Sequence, residues 1–514
     1  MASLRFVLFS VFSLSLFGAP ADSIPGACEG TPKAFKPAAG DWNGWSTELT
    51  NSRFQAQPKL TAADVPKLKL KWAFGFPGDT RDVAQVTVVG GRVFVGSYAN
   101  KVYSLDASTG CTYWTYNVGA LVRSAIRVEK VDGQYMAFFG DGTGWAHGVD
   151  ALTGKGIWKV HLDEHALARL TGGATFYKGR VYIPVASGEE LGSGQPKYEC
   201  CTFRGSLVAL DAKTGKVEWK SYSIPDPPKV FKTTADGTKV WGPAGAGMWS
   251  APTIDEKRKR IYATTGNSYT SVDVPTSDAV LAFDLETGSL LWSSQVSAGD
   301  NWIPGCPKNP ACPGKAGDDF DFGSSVALRS LPGGKQVLVA TPKSGVIYGL
   351  DPDNRGKILW QTRVGKGGPM FGGIEWGTAY DGMNMYAAVG DQQKDGTPGV
   401  YSLRVDTGAK LWETPSPDAT RKSYSAAVSA MPGAVFASSI SGHLRGFAAK
   451  TGEMIWDFDA AKDFETVNGV KAKGGSFNGA GPAIANGMVF TSSGFGFAGQ
   501  LPGNVLLAFS VDGK

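Results

Sequence analysis

The sequence predicts an all-β fold, an eight-bladed β-propeller built from four-stranded antiparallel blades. Three observations predict it. A short phrase, clearest as LDAKTGKVEW at 210–219, returns along the chain. Its copies are spaced tens of residues apart, the interval of one small sheet. The composition, with Gly 69 and Trp 15 in 514 residues, suits many short strands joined by tight turns.

Each part of the phrase has a physical role. The apolar residue before the Asp ends a strand. The Asp side chain can accept from the backbone that follows it, and Gly supplies positive φ, so Asp-x-x-Thr-Gly is a tight turn. The apolar residues after it begin the next strand, and the Trp fills the space between stacked sheets. The phrase recurs as LDASTGCTYW ending at Trp114, VDALTGKGIW at Trp158, FDLETGSLLW at Trp292 and LDPDNRGKILW at Trp360. LRVDTGAKLW at Trp412 and FAAKTGEMIW at Trp456 keep Thr-Gly and Trp, and LKLKW at Trp72 is half of an eighth copy. One such unit cannot bury its own faces, whereas eight in a ring can, leaving only short protected edges.

In chain order, residues 1–21 read as a signal peptide. Arg5 is followed by an apolar run, Phe6–Phe17, too short to span a bilayer, and then by the cleavage pattern Ala19-Pro20-Ala21. The mature protein is expected to be periplasmic or secreted, with no transmembrane segment. Residues 22–60 are loop-rich and expected to wrap the ring, and 61–514 form the single propeller. Little helix is expected beyond a short piece near Ala62–Val65. Strand, turn, strand layouts are plain at 86–106, 174–187 and 483–493. The end of the chain, LLAFSVDGK, lacks a Trp and LKLKWAF lacks a turn, so the two are expected to close one blade together. The net charge of +5 is spread without basic runs, which argues against nucleic acid.

The intervals from Trp to Trp are 42, 44, 61, 73, 68, 52 and 44 residues. The blades ending at Trp219, Trp292 and Trp360 are therefore swollen by insertions, which gather on the functional face of repeat folds. The site is expected between Ser187 and Lys343. That stretch contains Glu189 and Glu190, Trp249, Asn267, Asp300, Asp318, Asp319, Asp321 and Lys343. Carboxylates with an Asn carbonyl are hard oxygen ligands suited to Ca²⁺. An acid beside a bound cation can serve as a general base, and a lone Trp can stack on a flat ring.

Export makes the six cysteines eligible for disulfides. Cys306 and Cys312 share one Pro-rich loop and are expected to pair. Cys200 and Cys201 are adjacent; a vicinal bridge requires a distorted peptide bond, which marks the pair as part of a candidate site. Cys28 and Cys111 then pair by exclusion, with a lipid anchor on Cys28 as the alternative, against which Pro25 and the distance from the apolar run argue.

At these residues the chain resembles the pyrroloquinoline-quinone (PQQ) dependent alcohol dehydrogenases and, within that family, is similar to the polyvinyl-alcohol dehydrogenases. The resemblance covers nearly all of residues 40–514 and is most specific in ECCTFRGS, DFDFGSS and GGIEWGTA. It implies that Glu190 and Asn267 ligate Ca²⁺, with Asp319 a further ligand candidate, and that Trp249 lies under the planar cofactor. It implies that Arg123 and Ser187, with Thr171 beside them, contact the PQQ carboxylates and that Lys343 bonds the quinone oxygens. Cys200–Cys201 would lie near the ring, although in the methanol dehydrogenases the Cys pair comes earlier, where this chain has Arg123. Asp319 would be the catalytic base, with Asp321 and Asp300 as competing acids. Lanthanide enzymes of the family carry an acid at the position of Asp321, so a lanthanide stands as the alternative metal.

Each residue alone has an ordinary structural explanation: a solvated acid, a turn Asn, a core Trp. Only their combination in one swollen sector points to a site. GFGFAG at 494–499 fits a dinucleotide fingerprint, but no βαβ pattern surrounds it, so it reads as a glycine loop. The four His are scattered, and no C-x-x-C-H haem motif occurs, so electrons are expected to leave to a separate carrier such as a cytochrome c. The competing readings are a cofactor-free propeller acting as a binding or assembly scaffold, and a sugar-processing propeller. The alternate-residue spacing of Asp319 and Asp321 does not suit the two flanking carboxylates of a glycosidase. Substrate choice is expected in the loops 191–204, 225–245 and 301–317.

Overall fold

The computed structural model describes residues 24–514 apart from 82, 273, 307, 310, 314–316 and 394. The signal segment expected at 1–21 lies outside the described residues. Eight antiparallel sheets make the ring, seven of four strands and one of five. Seven sheets follow one another along the chain, from Thr87–Val89 through Thr112–Asn117 in the first to Ser429–Met431 through Met454–Asp459 in the seventh; six are simple meanders, and the third adds the short strand Ala168–Arg169. The eighth joins the two ends: Leu68–Gly75 pairs with Val505–Val511, which continues into Met488–Ser493 and Ala483–Ala485. First strands of neighbouring blades touch, as Ser429–Met431 touches both Ala379–Asp381 and Ala483–Ala485, so the first strands line the axis.

The repeat phrase is the seam between blades. In LDAKTGKVEW the Asp211 carboxylate accepts from the Thr214 N–H and hydroxyl, and the Gly215 N–H bonds back to the Asp211 carbonyl. Gly215 has φ +73°, and a Cβ there would stand 2.7 Å from the ring of Trp158 in the preceding blade. Gly110 meets Trp72 in the same way, Gly154 meets Trp114, Gly288 meets Trp219, Gly408 meets Trp360 and Gly452 meets Trp412. The glycine is thus required twice, for its φ and for the indole that packs on it. All eight Trp hold one position: each pairs across its sheet at the residue beside a register shift.

The seams are not identical. The indole N–H of Trp72, Trp114, Trp158 and Trp412 donates to the carbonyl of Ala107, Ala151, Ala212 and Ala449 in the next blade. Trp456 donates to Leu68 across the closing seam. Where the corresponding Ala is replaced by Leu285, Pro352 or Val405, the indole N–H of Trp219, Trp292 or Trp360 is buried without a partner.

Residues 40–55 run across the inner strands at one end of the ring. Trp42 exchanges backbone hydrogen bonds with Val88, Leu49 accepts from Ile254, Thr50 from Leu328, Ser52 from Tyr380, and the Gln55 N–H donates to Ala430. Among the described residues helix is confined to a 3-10 turn at Ala62–Lys67, another at Pro332–Gly334, and one α-turn, Glu189–Gly192. The insertions carry a hairpin, Lys229–Thr233 with Lys239–Gly242. Three disulfides form: Cys28–Cys111, Cys200–Cys201 and Cys306–Cys312.

Candidate functional site

At the other end of the axis a cavity of about 250 Å³ opens between the swollen blades and the last ones. Its wall includes Arg123, Thr171, Ser187, Glu190, Trp249, Asn267, Asp319, Asp321 and Lys343, residues spread over more than two hundred positions in sequence. Strand ends and the turns after them deliver these side chains. Ser187 ends Arg180–Ser187, and the single helical turn that follows presents Glu190. Asn267 follows Arg260–Thr264, and Lys343 follows Gln336–Ala340.

Three acids converge. One carboxylate oxygen from each of Glu190, Asp319 and Asp321 lies within 4.8 Å of the others. Asp321 accepts from the Asn267 backbone N–H at 2.6 Å, and its carbonyl accepts from the Lys343 N–H at 2.9 Å. Lys343 Nζ lies 2.6 Å from Asp319 and 3.4 Å from Asp321. The Asn267 amide nitrogen donates to the Ser268 and Trp302 carbonyls, so its side-chain oxygen is the end left for a ligand. Asp319 has φ 61°, a left-handed backbone that is uncommon for a side-chain-bearing residue and characteristic of functional sites.

The electrostatics are those of an incomplete site. Burial, then Asp321 and Asp319, push the Glu190 carboxyl well above the ordinary carboxylate range. Burial raises Asp319 to about 8, against the opposing pull of Lys343. Burial alone would depress Lys343, but Asp319, Asp321 and Glu190 hold its ammonium above the ordinary lysine value. One lysine does not neutralise three acids, and Glu190 Oε1 is buried with no donor. Hard oxygens in excess of the one ammonium make a donor set that fits Ca²⁺.

The remaining wall fits a flat anion. Trp249 packs its edges against Gly266 and Gly323, where a Cβ would stand 3.4 Å and 2.5 Å from the indole. It meets Trp376 edge-to-face at 5.1 Å. Arg123 lies over the Trp376 ring at 4.7 Å, and its Nε is buried without a partner. A planar ring beside an unpaired guanidinium suits an aromatic carboxylate such as PQQ.

Two groups expected at the site stand behind the cavity wall. Cys200–Cys201 does not line the cavity: both residues are fully buried in an apolar core with Phe203, Tyr269 and Ile303. The reason is Glu189, whose carboxylate binds the Thr202 and Phe203 N–H groups and draws that loop behind the helical turn. Asp300 also lies off the wall. It accepts from the Asp319 and Phe320 N–H groups at 3.2 and 2.6 Å, and so shapes the loop that carries Asp319.

Other wall residues escaped sequence reasoning. Trp376 and Glu375 belong to GGIEWGTA, a stretch noted as specific without a role. The Trp376 indole donates to Asn478 at 2.6 Å, and Ser425 bridges Asn478 and Glu375. Met370, Phe371, Phe495 and Phe497 make an apolar part of the wall, the last two from the glycine loop at 494–499. Behind the cluster, Asp278 is buried with neither oxygen bonded, and burial holds its carboxyl well above the usual range. Arg169 is treated below. None stands in a pattern that spacing along the chain could single out.

A family model described as "Outer membrane protein assembly factor BamB" matches residues 45–229, 343–473 and 396–513, where the repeats are regular. One described as "Glucose/ethanol/alcohol dehydrogenase, beta-propeller domain" matches 193–313, the swollen sector. A polyvinylalcohol dehydrogenase of Pseudomonas sp is 45% identical over 97% of this chain and 82% of its own length. The chain belongs to the PQQ-dependent alcohol dehydrogenases. A second polyvinylalcohol dehydrogenase, from Sphingopyxis sp. (strain 113P3), is 42% identical over 98% of this chain and 81% of that protein. The crystal structure of the quinohemoprotein alcohol dehydrogenase from Comamonas testosteroni superposes with a TM-score of 0.70 at 20% identity, covering 92% of this chain and 81% of that one, and shares the fold. The dehydrogenase is therefore an oxidoreductase that acts on an alcohol with PQQ.

Proposed function

We propose that this dehydrogenase is exported, binds PQQ with Ca²⁺ in the axial cavity, and oxidises secondary alcohols of a polyvinyl-alcohol-like chain, passing electrons to a separate carrier such as a cytochrome c. The observation that carries the reading is the convergence of Glu190, Asp319 and Asp321 within 4.8 Å in the wall that also holds Asn267, Lys343 and Trp249. The named relatives support the polymer as substrate, and the three disulfides support export. The reading takes residues 22–60 as a wrap and 61–514 as one propeller, and the backbone bonds of Trp42, Leu49, Thr50, Ser52 and Gln55 to the inner strands support it.

Glu190 and Asn267 would hold the cation, with Asp319 or Asp321 beside them; an acid at 321 also leaves room for a lanthanide. Arg123, Thr171 and Ser187 would hold carboxylates, and Trp249 would support the ring. Bound there, PQQ would supply an ortho-quinone as the two-electron acceptor, and the cation would make it more electrophilic. Asp319 is the base. It stands in the wall on a left-handed backbone fixed by Asp300, and a proton removed from the substrate hydroxyl goes to its carboxylate. Lys343, held 2.6 Å from Asp319, gives up part of that ion pair as Asp319 is protonated, which frees its ammonium to stabilise negative oxygen.

Purified protein given PQQ and Ca²⁺ should show a quinone absorption band and alcohol-dependent dye reduction. Glu190→Ala should lose PQQ retention in Ca²⁺ buffer while remaining folded. A variant that retains the quinone as the parent does removes Glu190 from the ligand set. If the parent takes up neither quinone nor metal, the cofactor-free scaffold reading wins.

A further inference from the structure

Arg169 carries a charge that the protein leaves unanswered. It forms the short strand Ala168–Arg169, paired with the end of Arg180–Ser187 so that Arg169 stands opposite Ala186. This register lays its side chain over the turn at Gly188, where a Cβ would stand 2.7 Å from both Arg169 Cζ and Nη2. Gly188 is the residue that launches the helical turn bearing Glu190. The absence of a side chain there lets the guanidinium reach the cavity, whose wall it shares with Ser187, Glu190 and Arg123.

The neighbouring acids are already engaged. The Glu189 carboxylate accepts from the Tyr198 hydroxyl and from the Thr202 and Phe203 N–H groups, and lies 3.3 Å from His165. Glu190 is gathered with Asp319 and Asp321. Among the described residues, no carboxylate pairs with Arg169 or with Arg123. Burial, and then the like charge of Arg123, act against the charged form of Arg169. The two guanidinium groups act against each other; the buried Glu375 carboxyl bears on Arg123, and among the described residues no ion pair reaches Arg169. A ligand carrying carboxylates reverses that repulsion, because each planar fork can take an anionic oxygen pair.

We infer that Arg169 is a second anchor for the carboxylates of PQQ, acting beside Arg123 from a position no family motif marks. The inference rests on the reading that this cavity holds PQQ. An anchor of this kind is read in the retention of PQQ. It also makes binding weaken with salt.

The test is a titration of Ca²⁺-loaded, PQQ-free protein with PQQ, followed by quenching of tryptophan fluorescence at two salt concentrations. Arg169→Met should raise the Kd about 10- to 100-fold, the scale of one lost charge-assisted contact, and flatten the salt dependence. Arg169→Lys should recover part of the affinity, because it keeps the charge and loses the fork. The unfolding midpoint of PQQ-free protein should not fall in either variant. A folded Arg169→Met protein with the parent's Kd and salt dependence overturns the inference, as does one altered only in its KM for alcohol. Failure of the parent itself to quench with PQQ would instead sink the reading of the cavity, and this inference with it.

Discussion

Two arginines near the same axis live opposite lives. Arg53, at the end closed by residues 40–55, is 1% exposed. Its Nε donates to the Val428 carbonyl at 2.7 Å, Nη1 to the Trp45 carbonyl and Gln85, and Nη2 to Ser429 at 2.9 Å. Trp42 and Trp45 lie against it at 5.3 and 4.5 Å. Burial pulls its pKa down to about 9, which still leaves it charged at neutral pH. Arg123, on the cavity side of Trp249, has a ring face and an orphaned Nε. A small space of about 20 Å³ next to Trp45, Arg123 and Trp249 separates the two. The difference teaches how to tell a plug from a receptor. Where the protein answers every donor with its own acceptors, the charge serves the fold. Where unanswered groups belong to residues of the cavity wall, as Arg123 Nε and Glu190 Oε1 do, they are open to a ligand.

The sharpest test of that distinction lies in the chemistry. Asp319→Asn should retain the metal and quinone while turnover falls about 10²- to 10⁴-fold, the usual cost of losing a general base. Dye-reduction kinetics on loaded protein check this. If Asp321→Asn silences the enzyme and Asp319→Asn does not, the base is Asp321. Asp300→Asn should act more mildly, through the shape of the 319–320 loop.

Next comes the arginine pair itself. Arg53→Met should destabilise the protein by about 3 kcal/mol, since the Val428 and Trp45 carbonyls are left buried without donors. Arg123→Met should leave the stability of the cofactor-free protein unchanged or slightly raised, yet weaken PQQ binding. Thermal melts with and without PQQ separate the two. Equal destabilisation by both substitutions would erase the contrast drawn here.

A third effect is proton-linked. In metal-free protein, burial raises Asp319 to about 8, so below that pH its carboxyl carries a proton that a cation must displace. Apparent Ca²⁺ affinity should climb with pH by up to about tenfold per unit for this one proton, and the raised Glu190 carboxyl adds to the slope. Calorimetric titrations across that range read it directly, and a flat profile would remove Asp319 from the coordination sphere.

The smallest effect probes the seams. Trp114→Phe loses a hydrogen bond to Ala151 that Trp219→Phe does not, because the Trp219 indole N–H has no acceptor. The first substitution should cost about 1 kcal/mol more than the second in denaturant unfolding.

The repeat was legible because its parts act locally or between adjacent blades. An Asp caps its own turn, a Gly turns left-handed, and a Trp packs on the next blade's Gly, so the same letters recur wherever the same contact recurs. Blade number, the closing blade and the swollen sector followed from that alone. The acids near 319 were also legible, as uncommon residues inside insertions. Their ranking was not, because Asp300 and Asp319 differ only in which way each carboxylate faces, and that depends on backbone N–H groups that folding positions. The same holds for Cys200–Cys201, drawn behind the wall by Glu189, and for Arg169, whose reach into the cavity depends on Gly188 across a strand pairing. The fold was written in repeated short-range contacts. The wall of the site brings together residues from Arg123 to Phe497, each used once, and only closure of the ring decided which of them meet.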